Sequence, residues 1–395
     1  MIKIDEARRR FEAQLNPLPA ETVSLGDALG RVLAARVSAD RDFPPTDRSA
    51  MDGFAVRSAD LPSPGTLSVV SEVAAGADPT GTVVGAGEAC RVFTGAVIPH
   101  GADAVVMVER TEEDREAGTV RIDDTPSPGQ HIRRGGQDLK AGDPVLEPGV
   151  RIRAGEIAAL ASVGCVDVPV HRVPTVSVLS TGDEIVPPDR QPEPHQIRDS
   201  NSVMLVAQAR EAGFAAIDLG HAPDRLDELR QKLALGLESD LLLVTGGVSV
   251  GDYDLVPETL AALGVETLFH GVAMKPGKPI FAGRPRKHGL VLGLPGNPLS
   301  VFVGFRLFGE PVLKALSGIP GYWPVHRTVK LTGGLRRRPG RETYHLATVV
   351  DDEATPVSST GSGDVLSLAR ANALVVTEAD ATDVPAGATL RAFLF

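Results

Sequence analysis

Between residues 174 and about 322, short apolar runs alternate with segments of helical period, and that alternation leaves few folds open. PTVSVLST, LLLVT, VETLF, KPIFAG and LVLGLPG read as strands. NSVMLVAQAREAG reads as a helix ended by Gly213. RLDELRQKLALGLES places Leu226, Leu229, Leu233 and Leu237 on one stripe, with Asp224 as its N-cap. PLSVFVGFRLF opens a last helix with Pro298 at a tolerated N-terminal position, and Pro311 breaks or kinks it. Buried strands separated by helices make a doubly wound parallel sheet.

The flanks differ. Ala7, Phe11 and Leu15 stand at helical spacing within 5–15, and a second small helix is expected at 154–163, capped by Gly164. From about 44 to 137, β-like runs (TLSVVSEV, CRVFTG, ADAVVMVE, GTVRID) are separated by Gly/Pro turns, which reads as an all-β insertion. Residues 323–395 return to short β runs and close the chain with a small β domain. A length of 395 residues exceeds one core and predicts about three or four domains.

Composition excludes several functions. A net charge of −11 argues against general nucleic-acid binding, which needs a basic footprint. No apolar run approaches the ~20 residues of a membrane span, and acids and arginines occupy the position of a secretory h-region, so a soluble, cytoplasmic protein is expected. Cys90 and Cys165 read as two buried thiols. There is no CxxC, and the nine histidines form no HxxxH pattern, so any metal should be hard and oxygen-bound, as magnesium is.

The chemistry concentrates at strand ends. One strand leaves through Ser180, Thr181, Gly182, Asp183 and Glu184, another through Thr245, Gly246 and Gly247 into VSVGDYD. A lone TGG is an ordinary turn. Two such ends followed by acids point to a phosphate-like group and a metal held together, since ligands in open α/β sheets bind outside the carboxyl ends of strands. MKPGKP and GLPGNP each put a Pro-Gly turn beside a strand. Lys275 and Lys278 straddle the first turn. Solvated lysines are the commoner case, but rigid flanks favour an anion site. Asp52 in SAMDGFA, Thr94 in FTGAVIP and Asp138 in RRGGQD are each weak evidence alone.

Together, SAMDGFA, FTGAVIPHGADAVV, RRGGQD, STGDE, RDSN, TGGVSVGDYD, MKPGKP, GLPGNP and GSGDVLSLARANAL resemble, in order and over nearly the whole chain, the molybdopterin molybdenumtransferase family, which includes the MoeA proteins and the gephyrin E domain. The resemblance implies four parts: an elongated mixed α/β domain (1–43 and 138–173), an inserted β domain (44–137), an α/β molybdopterin-binding domain (174–322) and a C-terminal β-barrel domain (323–395). It implies insertion of molybdenum from molybdate into adenylated molybdopterin, with Mg²⁺-dependent release of AMP, as the last step of molybdenum cofactor biosynthesis. It also implies a homodimer whose cleft is shared between subunits, and transient contact with the upstream adenylyltransferase and recipient molybdoenzymes.

Carried onto this chain, Asp52, Lys275 and Lys278 are the catalytic candidates. Thr94, Asp138, Glu184, Gly246, Gly247, Ser249, Pro295 and Pro298 are the substrate-binding ones. Asp254, Glu184 or Asp224 binds the metal, with Asp252 matching less strongly than Asp254. Arg48, Phe54 and Leu255 depart from the family pattern without removing an acid or lysine. Two rivals stay open. An adenylyltransferase would consume ATP, and a clustering scaffold would bind ligand without releasing AMP.

Overall fold

A computed structural model describes residues 1–249, 254–337 and 339–395. Its first helix, α1 (Ile4–Glu12), carries Ile4, Ala7 and Phe11 on one face, a spacing of three and four residues that makes the face apolar. Arg9 and Arg10 pair with Glu6 on the same helix. The apolar face docks on a distant layer: the Phe11 ring meets Phe269 edge-on at 5.3 Å and lies 5.9 Å from Phe308. Burying a ring of this size contributes about 1.5–3 kcal/mol. Strand β1 (Ala20–Ser24) follows.

The chain then builds a six-stranded sheet from β2 (Gly53–Val56), β3 (Gly65–Val73), β4 (Glu88–Val92), β5 (Ala104–Met107), β6 (Thr111–Asp114) and β7 (Thr119–Ile122). Their spatial order is β5-β2-β4-β3-β7-β6. Phe54, Leu67, Val120 and Ile122 form one core of this sheet, and Val73, Cys90 and Val105 belong to a second. The two ends of the segment meet, since the Phe43 N–H donates to the Leu139 carbonyl at 2.7 Å and the Asp138 N–H to that of Phe43 at 3.0 Å. Past it come α2 (Ala154–Ser162) and β8 (Asp167–His171). β8 pairs antiparallel with β1, in register from Ala20↔His171 to Ser24↔Asp167. One core, including Leu33, Val37, Ile152, Leu160 and Val170, therefore draws on both sides of the inserted sheet.

The α/β part comprises β9 (Val176–Thr181), α3 (Asn201–Glu211), β10 (Ala216–Ala222), α4 (Leu226–Gly236), β11 (Leu241–Thr245), α5 (Val256–Ala262), β12 (Glu266–His270), β13 (Met274–Lys275), β14 (Phe281–Arg284), β15 (Leu290–Leu294), α6 (Pro298–Gly304) and α7 (Glu310–Leu316). Its sheet runs β10-β9-β11-β15-β14-β12. Successive strand residues face opposite sides. Val176, Val178, Leu241 and Leu243 pack toward α1, α3, α6 and α7, while Leu179, Leu242 and Val244 pack toward α4 and α5. Strands β10, β9, β11 and β15 are parallel as expected, but β14 runs antiparallel to both β15 and β12. The loop 285–289 between β14 and β15 is too short for a crossover, so the pair is a hairpin.

Three local expectations are corrected. The N-cap of α4 is Arg225, with no side-chain capping bond, and Asp224 lies one residue outside the helix; Leu226 is exposed instead of sharing the buried stripe of Leu229 and Leu233. Pro311 does not end its helix: Phe305–Gly309 form a π turn that leads directly into α7, so the helix carries on with its regular α-bonding interrupted just before the proline. Cys90 is buried, but Cys165, in the turn after α2, is only half-buried.

The last part holds β16 (Arg327–Leu331), β17 (Glu342–Val350), β18 (Glu353–Pro356), the short α8 (Val365–Leu368), β19 (Ala373–Thr377) and β20 (Thr389–Leu394). The order β17-β18-β16-β20-β19 closes because β19 pairs back onto β17, giving a barrel. Strand β13 of the α/β part joins its edge through Met274↔Glu342 and Lys275↔Thr343. Among the described residues no helix is long and apolar enough to cross a membrane.

Candidate functional site

Strands β9, β11 and β15 end level with one another, with Ser180 opposite Thr245 and Thr245 opposite Leu294. Outside this edge lies a cleft of about 410 Å³. Thr181, Glu184, Asp224, Gly246, Gly247, Asp254 and Pro298 all line it. Its floor requires glycine. Gly246 has φ +91°, and a Cβ there would lie 2.4 Å from the Thr181 carbonyl oxygen. The Asn201 amide ties α3 to the facing turn, donating to the Gly296 carbonyl at 2.7 Å and to Thr245 Oγ1 at 3.1 Å.

Acids gather at the rim. Burial raises the Asp224 carboxyl above its ordinary 3.8, and the negative charges of Asp183 and Glu184 push the same way, while a hydrogen bond from the Asp183 backbone to that carboxyl opposes them. Glu184, Asp224 and Asp254 are hard oxygen donors that all line the cleft, and the negative charges that disfavour ionised Asp224 are what a divalent cation would offset, so the donor set fits magnesium. Among the described residues no three His, Cys, Asp or Glu side chains already sit together as a metal site. Asp252 lies outside the described residues.

A raised carboxyl pKa favours the protonated form in the folded state. The charge on Asp224 therefore costs nothing below about pH 3.8, and stability is lost as pH rises through the higher folded value. Asp224→Asn should accordingly melt higher than wild type at pH 7 without metal, with the gain shrinking toward pH 4. It should also gain less from added Mg²⁺. Thermal melts at the two pH values check this; a variant no more stable at pH 7 sinks the assignment.

A second cleft, of about 510 Å³, opens where the α/β part meets the barrel. Lys275, Lys278 and Pro295 line it from one side, and Arg336, Arg341 and His345 from the other. Arg341 Nη1 donates to the Met274 carbonyl at 3.1 Å, holding the guanidinium against the lysine-bearing strand. Burial, with Arg337 and Lys275 adding to it, pulls the His345 imidazole down to about 4, so it is neutral at pH 7. Asn297 lines both clefts, and the PGNP turn is the ridge between them. The three barrel residues carried no motif; the run LRRRPGRETYH, dense in arginine around Gly340, was the one sequence signal for them.

The remaining candidates lie elsewhere. In the inserted sheet the Thr94 N–H and hydroxyl both donate to Asp52 Oδ1 at 2.7 Å, and these bonds hold the carboxyl below its usual range. Arg48, which departs from the family pattern, donates to the neighbouring Gly95 carbonyl at 2.7 Å. Asp138 is ion-paired with Arg133. Asp52, Thr94 and Asp138 line neither cleft of their own chain, nor does Ser249, which is exposed.

Comparison with known proteins gives the family. Residues 2–164 match a family model described as the MoeA N-terminal region (domain I and II), 177–315 one described as a "probable molybdopterin binding domain", and 328–395 one described as the MoeA C-terminal region (domain IV). The molybdopterin molybdenumtransferase of Nostoc sp. is 39% identical over 383 residues, covering 93% of this chain and 87% of the relative. That of Bacillus subtilis is 35% identical over 413 residues, covering 100% and 94%. Two crystal structures of the molybdopterin biosynthesis MoeA protein from Pyrococcus horikoshii superpose with TM-scores of 0.87 and 0.82, at 31% and 30% identity, covering 100% of this chain and 99% and 100% of theirs. On these matches across its whole length, the chain belongs to the molybdopterin molybdenumtransferase (MoeA) family.

Proposed function

We propose that this chain is a molybdopterin molybdenumtransferase of molybdenum cofactor biosynthesis, which takes adenylated molybdopterin and molybdate and releases AMP with Mg²⁺. One observation carries the reading: a glycine-floored, acid-rimmed cleft and a cationic cleft lie side by side across a single turn. The first suits a phosphoanhydride with a cation, the second an oxyanion. Gly246 and Gly247 let the main chain approach the phosphates. Lys275 and Lys278, with Arg336 and Arg341, hold molybdate by point charge and bidentate geometry. A divalent cation bound by Asp254, Glu184 or Asp224 supplies the positive charge that lets phosphate and carboxylates share one cleft. An oxygen nucleophile then cleaves the phosphoanhydride, and AMP departs.

The family resemblance implies that Asp52 and Thr94 complete the site from a second copy of the chain in a homodimer, and their absence from both clefts of their own chain is compatible with that. Contacts with the upstream adenylyltransferase and with recipient molybdoenzymes would be transient. The test is AMP release by purified protein given adenylated molybdopterin, molybdate and Mg²⁺, with reconstitution of an apo-molybdoenzyme in parallel. Binding without AMP release would favour a scaffold, and ATP consumption an adenylyltransferase.

Lys275→Gln and Lys278→Gln should each raise the molybdate concentration for half-maximal AMP release by about tenfold or more, as loss of a charged hydrogen bond does. Molybdate titrations check this. An unchanged half-saturation in both variants removes the lysines from the oxyanion site.

A further inference from the structure

Three buried polar atoms around the first cleft have no hydrogen-bond partner among the described residues: Ser180 Oγ, Thr181 Oγ1 and Asn201 Oδ1. Buried polar groups are nearly always satisfied, so three at one strand end need a reason. Ser180 is 2% exposed and Thr181 4%, and all three residues line the cleft. Ser180 shares the α3-facing side of β9 with Val178, and Thr181 shares the α4-facing side with Leu179, so the orphans straddle the strand's end. The Asn201 amide cannot be turned to satisfy its oxygen, because the Gly296 carbonyl it meets at 2.7 Å accepts only from the NH₂ group.

Chemistry narrows the missing partner. Two hydroxyls can donate to anionic oxygens, while an amide oxygen can only accept. The ligand must therefore present acceptor oxygens and at least one N–H or O–H donor. A fully deprotonated phosphate does not, whereas a phosphate ester bearing ring or sugar donors does in every ionisation state. Thr181 Oγ1 also lies 2.9 Å from where a Cβ on either Gly246 or Gly247 would sit, so those glycines form its cover.

We propose that Ser180 and Thr181 are substrate-contacting residues whose hydroxyls donate to phosphate oxygens of the bound ester, while Asn201 accepts from its donor groups. This rests on the functional reading given above. Among the described residues of the free chain these hydroxyls have no partner, and the ligand supplies one. Removing one should spare or raise stability while weakening the reaction, the reverse of a structural hydroxyl.

The variants are Thr181→Val and Ser180→Ala, read by melting temperature of the free protein and by kcat/KM for AMP release from adenylated molybdopterin. The expected result is a melting temperature equal to or above wild type, with kcat/KM about 10- to 100-fold lower, as for a lost hydrogen bond to a charged group. Unchanged kcat/KM in both variants overturns the proposal, whatever the melting temperature. Lower kcat/KM accompanied by a lower melting temperature in both also overturns it, because a damaged fold would then explain both. If the wild type itself releases no AMP, the functional reading fails and takes this inference with it; if it does, only the inference is at stake.

Discussion

Asp52→Ala should lower AMP release by about 10²–10⁴-fold, the range for loss of a group that handles a proton in the transition state. Its melting temperature should hardly change. Asp52 is exposed, and its carboxylate accepts two 2.7 Å bonds from Thr94, whose N–H and hydroxyl are also at the surface and can turn to water. The following residue, Gly53, is buried in β2, so the loop's path is set by the strand and not by the acid. The bonds from Thr94 hold the carboxyl below its usual range, so in the proposed reaction Asp52 would serve as an ionised group and not as a stored proton. Rate and melt must be measured on one preparation. AMP release equal to wild type would remove Asp52 from the reaction, and with it the main reason for bringing a second subunit to the cleft.

Gly246→Ala should be the most damaging single methyl in the α/β part. The new Cβ would meet a main-chain oxygen at 2.4 Å, and backbone cannot swing aside as a side-chain tip can. The residue also keeps φ +91°, which alanine resists. Strain and clash together should cost about 2–4 kcal/mol. Displacement of the cleft floor should cost about 10²-fold in kcat/KM. Gly213→Ala is the matched control, with the same φ of +91° and nothing within 4 Å of the added methyl. Denaturant unfolding of the two variants separates clash from backbone strain; equal losses would show that the close approach of Thr181 is relieved at little expense.

Much of this was legible in the residues. Alternating apolar runs and helical stripes located the strands and helices of the α/β part, and glycines after two strands marked the edge where the first cleft opens. What escaped has physical causes. Period two shows that β14 is a strand but not its direction, which the short loop to β15 decides. Asp224 is a good capping residue by type, yet the helix begins one residue later, where a carboxyl meeting Asp183 and Glu184 is held by burial instead. Arg336, Arg341 and His345 complete the cationic cleft from a separate domain, and juxtaposition across domains leaves no local pattern. The orphaned hydroxyls of Ser180 and Thr181 were visible as residues, but being unpartnered is a property of three-dimensional neighbours alone.

The closed base of the inserted sheet bears on how the chain is made. Phe43 and Leu139 hydrogen-bond across its root, and all six of its strands lie between residues 53 and 122. On the ribosome, at about 5–20 residues per second, those strands emerge and can pair while β1 still waits for β8, which comes only at Asp167–His171. The guest is thus ready before its host. By tying residue 43 to residue 139 it shortens the wait, presenting the two halves of the interrupted domain to each other as though the intervening chain were a tight turn.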